Sequence, residues 1–400
     1  MRCTVFPYAS LLLLLALPAK GEDLSDHVQA HGFFSHAMAV SDRNQIGMTS
    51  AGRFGSMLTE AGINTTLLAS PNWLLGGQLL WRNDGVEPTK LRVDCAFIDG
   101  TLLNHNGHQV ALQVGIIKNP YGFYNMTRDV AHTRPTILLP QSLYHDQGRN
   151  FFLSAPGIAL HGREEKGANA FTWQFNVLKP DVNSPNMVAF MVGPQNGQLQ
   201  GKTSWLGQMM WDRDGGRWRG GVSLGSLSMH YQPSPTDFFG AGRVAGAGNM
   251  TLNTGVLSLE YNLENWSYTG EYSLTRQLRN SFNIPGANFM DRNSTLEEYY
   301  LQGLWRFRPG WQSILRYDAV YVDTADRSGT WFSRVSGQPA SQRYAQDWMI
   351  GLRYDPTVSW SLFAELHHVN GTAWLSKLSN PPATTRPRWN MFTVQAAYHF

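Results

Sequence analysis

"LSLEYNLENWSYTGEYSLT", residues 257–275, consists of two segments in which apolar and polar residues alternate, joined by a short turn at Glu264 and Asn265. Successive side chains of a β-strand point to opposite faces, so this period of two predicts a hairpin with one apolar and one polar face. The apolar face comprises Leu257, Leu259, Tyr261, Leu263, Trp266, Tyr268, Tyr272 and Leu274. The other face carries serine, threonine, asparagine and glutamate, which indicates contact with water on that side.

The same design recurs through the C-terminal half, in hairpins that turn at Pro309–Gly310 and at residues 355–358. A soluble β-sandwich also has alternating strands, but it has no reason to hold its aromatic residues at one depth. In a membrane β-barrel, aromatic rings collect at the membrane interface. Large rings stand beside the short turns of this chain at Trp266, Trp305, Trp311, Tyr354 and Trp360. The pattern therefore favours a transmembrane barrel.

The alternation extends over nearly the whole chain and predicts sixteen strands. They lie near 28–40, 58–69, 73–83, 90–100, 107–118, 154–163, 169–178, 201–212, 217–230, 252–263, 266–277, 297–308, 311–324, 345–354, 359–370 and 390–400. Short and longer connections alternate, as in barrels with tight turns at one end and loops at the other. We place the apolar run at 187–193 in a loop, because another strand would break this alternation. The predicted fold class is all-β, a single antiparallel transmembrane β-barrel formed by residues 22–400 and wide enough for an aqueous channel.

The first residues have the features of an exported protein. Arg2 precedes an apolar run from Leu11 to Leu17, and "PAKG" supplies small residues for cleavage after Gly21. The run is too short to span a bilayer, so we predict that residues 1–21 are a signal peptide. Without Arg2 and Lys20 the 32 basic residues become 30, against 29 acidic residues. A net charge this close to zero does not indicate a nucleic-acid-binding protein. Only Cys95 then remains, so no internal disulfide can form.

No motif indicates an enzyme. His367 lies beside Glu365, but no G-x-S-x-G nucleophile motif accompanies them. His161 precedes two glutamates without the H-E-x-x-H spacing of a zinc site. We predict no catalytic site, no metal and no cofactor. An outer-membrane lipid hydrolase, or an adhesin that acts through its external loops, remains the alternative.

The polar faces of the predicted strands carry charges of both signs. We expect these residues to line a pore: Arg217, Arg219, Glu260, Glu271, Glu298, Arg306, Arg316, Asp318, Asp347, Arg353 and Glu365. For Arg217 and Arg219 a solvated strand end is the alternative interpretation. Opposed charged walls orient polar solutes and let small ions pass, so we predict a water-filled channel for small hydrophilic solutes or ions. Arginine outnumbers lysine by 25 to 7, so any anion site would use guanidinium groups.

Three stretches resemble a known family. They are "VQAAYHF" at 394–400, "LFAELHHVNGTAWL" at 362–375 and "GIIKNPYGFYNMTRDVAHTRPTILLPQSLY" at 115–144. The chain is similar to the porins of the Gram-negative outer membrane, and among them to phosphate-selective (O/P-type) porins. The resemblance implies a homotrimer embedded in outer-membrane lipid, and a C-terminal strand that is recognised by the barrel assembly machinery.

The resemblance also assigns a role to one long loop. In porins the loop after the fifth strand, here the third external loop at 119–153, folds into the lumen and sets the constriction. This places six residues near the narrowest point: Arg128, Asp129, Arg134, Tyr144, Asp146 and Arg149. A constriction rich in arginine would give the channel an anion preference.

Overall fold

The computed structural model describes residues 23–25, 27–85, 87, 89–193, 195–237, 246–280 and 292–400. Sixteen strands form the wall of a closed antiparallel barrel. They are β1 (Val28–Ser41), β2 (Gly55–Ser70), β3 (Trp73–Asn83), β4 (Lys90–His105), β5 (His108–Lys118), β6 (Ser154–Lys166), β7 (Asn169–Leu178), β8 (Ser204–Arg213), β9 (Trp218–Gln232), β10 (Gly248–Asn262), β11 (Trp266–Asn280), β12 (Ser294–Arg308), β13 (Trp311–Tyr321), β14 (Tyr344–Thr357), β15 (Trp360–Gly371) and β16 (Arg388–His399). The predicted fold class is confirmed. The predicted signal peptide lies outside the described residues.

Each strand pairs with the next along the chain, and β16 closes the barrel against β1, with Met391 opposite Ser41 and His399 opposite Phe33. Two short strands join the same sheet: Asp23–Ser25 pairs with β1, and Gln198–Gly201 pairs with β9. Closure leaves the wall strands no exposed edge, so their backbone groups pair with a neighbour on both sides.

Short turns and longer loops alternate around the barrel, which defines a short-turn end and a long-loop end. The described parts of the loops contain α1 (Arg149–Leu153), α2 (Pro185–Val192) and α3 (Thr330–Ser336), and short 3-10 helices at Ala131–Thr133, Thr324–Asp326 and Ala340–Arg343. The apolar run at 187–193 falls largely in α2, so its assignment to a loop is confirmed. Ser184 caps this helix by accepting a hydrogen bond of 3.1 Å from the backbone N–H of Met187.

The two faces of the wall differ in the way the alternation predicts. On β10, Leu257 and Leu259 are 61% and 53% exposed, whereas Ser258 between them is buried towards the lumen. The aromatic residues near the short turns pair across strands on the outer face. The ring centroids of Trp266 and Trp305 are 5.4 Å apart, and other such pairs are Trp311 with Tyr354 and Trp360 with Tyr398.

Within the part of the chain that the structure describes, no helix combines the length and the apolar character needed to cross a membrane.

Candidate functional site

The loop after β5 crosses the lumen instead of extending outwards. Its residues 119–148 form turns, bends and one short 3-10 helix, and most of their side chains are buried. Pro135 and Pro140 exclude a continuous helix or an added strand, because neither can donate a backbone hydrogen bond. The loop therefore carries many backbone N–H groups that need partners outside the segment.

Carboxylates of the wall supply several of these partners. Glu365 on β15 accepts from Ile137 N at 2.6 Å, and Asp318 on β13 accepts from Ser142 N at 3.1 Å. A third carboxylate, Glu271 on β11, accepts from the N–H of Phe123 at 2.9 Å. Because charged acceptors form the stronger hydrogen bonds, these three acids anchor the loop at separate positions around the barrel.

Glu271 also anchors a side chain of the loop. The Tyr144 hydroxyl donates to Glu271 over 2.5 Å, and the hydroxyl groups of Tyr300 and Ser258 bond to the same carboxylate. Burial and the neighbouring Glu271 raise the pKa of Tyr144 well above its ordinary value. The phenol therefore stays protonated and acts as a donor.

The three arginines of the loop are buried and paired. Arg134 Nη2 lies 3.1 Å from Glu60 Oε2 on β2, and Arg149 Nη2 lies 3.3 Å from Asp94 Oδ2 on β4. The third arginine, Arg128, donates to the carbonyl oxygen of Tyr144 at 2.8 Å and to Asp146 at 3.2 Å. Burial lowers the pKa of Arg128 to about 10, against the opposing effect of Asp146, so the group remains charged at neutral pH.

Asp129 is fully buried, and its carboxylate lies against Lys118 at the end of β5. Lys118 Nζ lies 2.9 Å from its carboxylate, and Gln78 on β3 donates a hydrogen bond to the same group. Burial acts to raise the pKa of Asp129, but Lys118, Arg149 and the bond from Gln78 outweigh it and bring the pKa below its ordinary value. The ionised carboxylate therefore holds the base of the loop.

Asp146 differs from the other five residues expected at the constriction. Its side chain is 35% exposed, whereas the residue exposures of the other five range from 0% to 5%. Its Oδ1 atom lies 3.5 Å from Arg82 Nη2 on β3, and Arg82 also bonds to Glu60 and to Asp84. The charged pair of Asp146 and Arg82 lines a cavity of about 90 Å³ on the long-loop side, together with Asp84, Gln141 and Leu138.

Most of the wall residues expected to line the pore hold the loop instead. Those that bond directly to it are Glu271, Glu298, Arg316, Asp318, Arg353 and Glu365. Arg316 donates to the carbonyl oxygen of Leu138 at 3.0 Å, and Arg353 donates to the carbonyl oxygen of Arg134 at 3.0 Å. Asp347 is connected to the loop indirectly. It lies 2.7 Å from His367, which in turn contacts Glu365.

The remaining predicted wall residues lie nearer the short-turn end. Arg219 bridges Asp212 at 2.9 Å and Glu260 at 3.1 Å, and Arg306 donates to Ser267 Oγ at 2.8 Å. All three strands that carry Arg219, Glu260 and Arg306 present these side chains on the face opposite to the exposed leucines.

Arg217 does not share the inner face with Arg219, so that expectation is wrong. Strand β9 begins at Trp218, and Arg217 belongs to the preceding turn, where its N–H bonds to the carbonyl oxygen of Asp214. Its guanidinium carbon lies 6.0 Å from the ring centroid of Tyr261, which is on the outer face. The side chain of a turn residue need not follow the alternation of the strand. Arg217 therefore fits the alternative interpretation, a solvated strand end.

The structure adds charged residues that sequence reasoning missed. Glu60, Arg82, Arg92 and Asp94 lie on the inner face of β2 to β4, and Arg92 Nε lies 2.6 Å from Asp94 Oδ1. The alternation in "WLLGGQLLWRN" at 73–83 puts Gln78 and Arg82 on one face, so the sequence carried a signal for Arg82. The register shift between β3 and β4 at Gln78 interrupts the pattern near Asp94.

Comparisons with known proteins support the fold. No protein-family model matches the chain, and no curated protein matches it in sequence. Solved structures match almost its full length at low identity. The outer membrane channel DcaP of Acinetobacter baumannii is 13% identical with a TM-score of 0.59, over 96% of this chain and 100% of that one.

Two further structures are similar. An anion-selective porin from Comamonas acidovorans is 10% identical with a TM-score of 0.56, over 93% of this chain and 99% of that one. The trimer form of OmpT, an outer membrane protein of Vibrio cholerae, is 11% identical with a TM-score of 0.54, over 93% and 99% of the respective chains. At these identities the match establishes a shared barrel fold.

Proposed function

We propose that this protein is a porin, a passive channel in the outer membrane of a Gram-negative bacterium. The main support for this proposal is a closed barrel with leucine and aromatic side chains outside and charged or hydrogen-bonding side chains inside. A closed barrel satisfies its backbone hydrogen bonds without water, which lets it span a bilayer while its interior stays polar. The signal peptide expected at residues 1–21 would direct the chain to export.

The known structures of similar fold support this proposal. DcaP is an outer membrane channel, and the protein from Comamonas acidovorans is an anion-selective porin. OmpT of Vibrio cholerae has a trimer form, in agreement with the homotrimer that we propose for this chain. We also propose that the C-terminal strand, ending at Phe400, is the segment read by the barrel assembly machinery.

We propose that the constriction lies between the inserted loop and the wall formed by β2 to β4. Asp146, Arg82 and Arg92 are charged groups there whose side chains retain exposure, at 35%, 10% and 25%, and Asp84 beside Arg82 is 19% exposed. Opposed charges of this kind create a field across the passage. Any anion preference would then come from Arg82 and Arg92, while Arg128, Arg134 and Arg149 keep the loop in position.

The channel acts without turnover or cofactor in this proposal. Purified protein reconstituted into planar bilayers tests it through stepwise ion currents. A salt gradient across the bilayer gives the reversal potential, and hence the preference between anions and cations.

A further inference from the structure

A cavity of about 280 Å³ lies between the inserted loop and the inner wall, towards the short-turn end. Its volume is just below the lower limit of about 300 Å³ for small-molecule sites. Its polar side chains come from β5 to β8: Gln109, His161, Arg163, Thr172, Gln174 and Gln208. The cavity is separate from the charged group formed by Asp146 and Arg82, and none of the residues expected at the constriction lines it.

The charged groups of this cavity are already paired. Arg163 Nε donates to Glu165 Oε1 at 2.7 Å, and His161 Nε2 lies 2.7 Å from Asp99 Oδ2. A solute ion that entered would lose hydration and would find no uncompensated opposite charge among these side chains. The lining therefore favours a neutral solute.

Two amide groups of the wall have fixed orientations. The Gln174 amide donates to the carbonyl oxygen of Lys118 at 3.3 Å and to Asn176 Oδ1 at 2.8 Å. The Gln208 amide donates to the carbonyl oxygen of Gly122 at 2.8 Å and to Ser223 Oγ at 2.9 Å. Since both N–H groups of each amide are used, the oxygen atoms of Gln174 and Gln208 are the groups left to bond a solute, and they can only accept.

Acceptors on the wall require donors on the solute. The hydroxyl group of Thr172 can both donate and accept, and Gln109, which is exposed, carries both a donor and an acceptor. A solute with several hydroxyl groups matches this set, because each hydroxyl both donates and accepts. An ether of similar size only accepts, and it would leave the oxygen atoms of Gln174 and Gln208 unpaired.

We propose that this cavity is a binding site for a neutral polyhydroxylated solute of about the size of a monosaccharide, on its way through the channel. The proposal rests on the porin function proposed above and specifies a solute class for it. The inserted loop forms one side of the site through Met126, so solute and loop are in contact.

The test measures binding directly and does not depend on ion current. Saturation-transfer NMR is recorded on the full barrel in detergent, with glucose as the probe and triethylene glycol dimethyl ether as the probe without hydroxyl groups. We expect saturable transfer to glucose and none to the ether. Gln174→Met and Thr172→Val should each raise the half-saturation concentration about fivefold, because each removes hydrogen bonds to the solute.

Gln312→Met is the matched control. Gln312 is a wall glutamine on β13 whose amide bonds to Asp355 at 3.5 Å, outside the cavity. Its glucose binding should equal that of the parent protein. Equal transfer to glucose and ether, or equal effects of Gln174→Met and Gln312→Met, would overturn the site.

Thermal unfolding of each variant shows whether a change in binding reflects damage to the barrel. If Gln174→Met unfolds at a lower temperature than the parent protein, the glucose binding of Thr172→Val is the test of the site, because that substitution keeps the shape of the side chain. The two proposals fail in different ways. A barrel that binds glucose and carries no current would contradict the channel, whereas a conducting barrel without saturable glucose binding would overturn this site alone.

Discussion

The hydroxyl group of Tyr144, in the loop after β5, lies 2.5 Å from the carboxylate of Glu271 on β11, and 127 residues separate the two along the chain. Glu271 also accepts from the backbone of Phe123, so one wall carboxylate holds the loop at two points. The geometry of the passage therefore depends on acids of the wall that point at the loop.

Replacement of Glu271 by glutamine should loosen the loop. The amide has one acceptor oxygen, whereas the carboxylate serves donors from Tyr144, Phe123, Tyr300 and Ser258. Loss of a charged hydrogen bond should weaken docking of the loop by about 2 kcal/mol. Hydrogen exchange at residues 121–124 would report this as faster exchange, with Glu260→Gln as the control because Glu260 bonds to Arg219 and not to the loop.

Arg92 and Arg134 should have different roles. The Arg92 side chain is 25% exposed, so Arg92→Ala should make the channel less permeable to anions relative to cations and shift the reversal potential in a salt gradient. Arg134 is 6% exposed and paired with Glu60, so Arg134→Ala should mainly destabilise the loop, by about 2 kcal/mol, since it removes a buried charged hydrogen bond while Arg82 remains as a partner of Glu60. A larger selectivity change in Arg134→Ala than in Arg92→Ala would contradict this assignment.

Acid should weaken the contact between the loop and the end of β16. The ring of His132 stacks on that of His399 with centroids 3.6 Å apart, and burial, followed by His399 and Arg353, lowers the pKa of His132 to about 4. Its unfolded pKa is about 6.5, so the released loop takes up a proton before the docked loop does. Stability of docking is therefore full above about pH 6.5, falls as the pH drops towards 4, and levels off below it.

The fluctuation of the open-channel current as a function of pH measures this effect. His132→Phe keeps a stacked ring without a titrating group, and it should flatten the pH dependence in this window. An unchanged pH profile in His132→Phe would assign the titration to another group.

The C-terminal ring needs a glycine beneath it. Phe400 exchanges backbone hydrogen bonds of 3.1 and 3.0 Å with Gly32 on β1, and a Cβ atom on Gly32 would overlap the Phe400 ring. Gly32→Val should slow closure of the barrel and lower its stability by about 1–3 kcal/mol through overpacking. Folding into lipid vesicles, followed by electrophoresis without heating, measures this, and Gly303→Val is the control because its Cβ would lie 4.0 Å from Tyr268.

Alternation alone predicted the strands well. Each strand has one apolar and one polar face, and the two faces appear in the sequence as alternating apolar and polar residues, as in Leu257, Ser258 and Leu259. It could not show which charges face open water. Arg134 and Asp146 lie in the same loop, yet one is buried against Glu60 and the other lines a cavity. Pairings over 74 residues, such as that of Arg134 with Glu60, depend on the path of the loop through the lumen, and no local pattern encodes that path.

The helix α2 is a second feature that the alternation of residues could not predict. The alternation of short and longer connections excluded residues 187–193 from the wall. It gave no reason for them to form a helix that packs against the inserted loop. In the structure Met187 and Val188 belong to the same buried apolar cluster as Leu143 and Phe152 of the loop. The inserted loop is thus packed against a second loop, which sequence reasoning did not identify as its partner.

Conductance of the reconstituted barrel tests the central proposal most directly. We expect discrete current steps in a planar bilayer, and larger steps for Glu271→Gln than for the parent protein, because a loosened loop widens the passage. A folded, membrane-inserted barrel that gives no current steps in either protein would contradict the proposal that this chain is a channel.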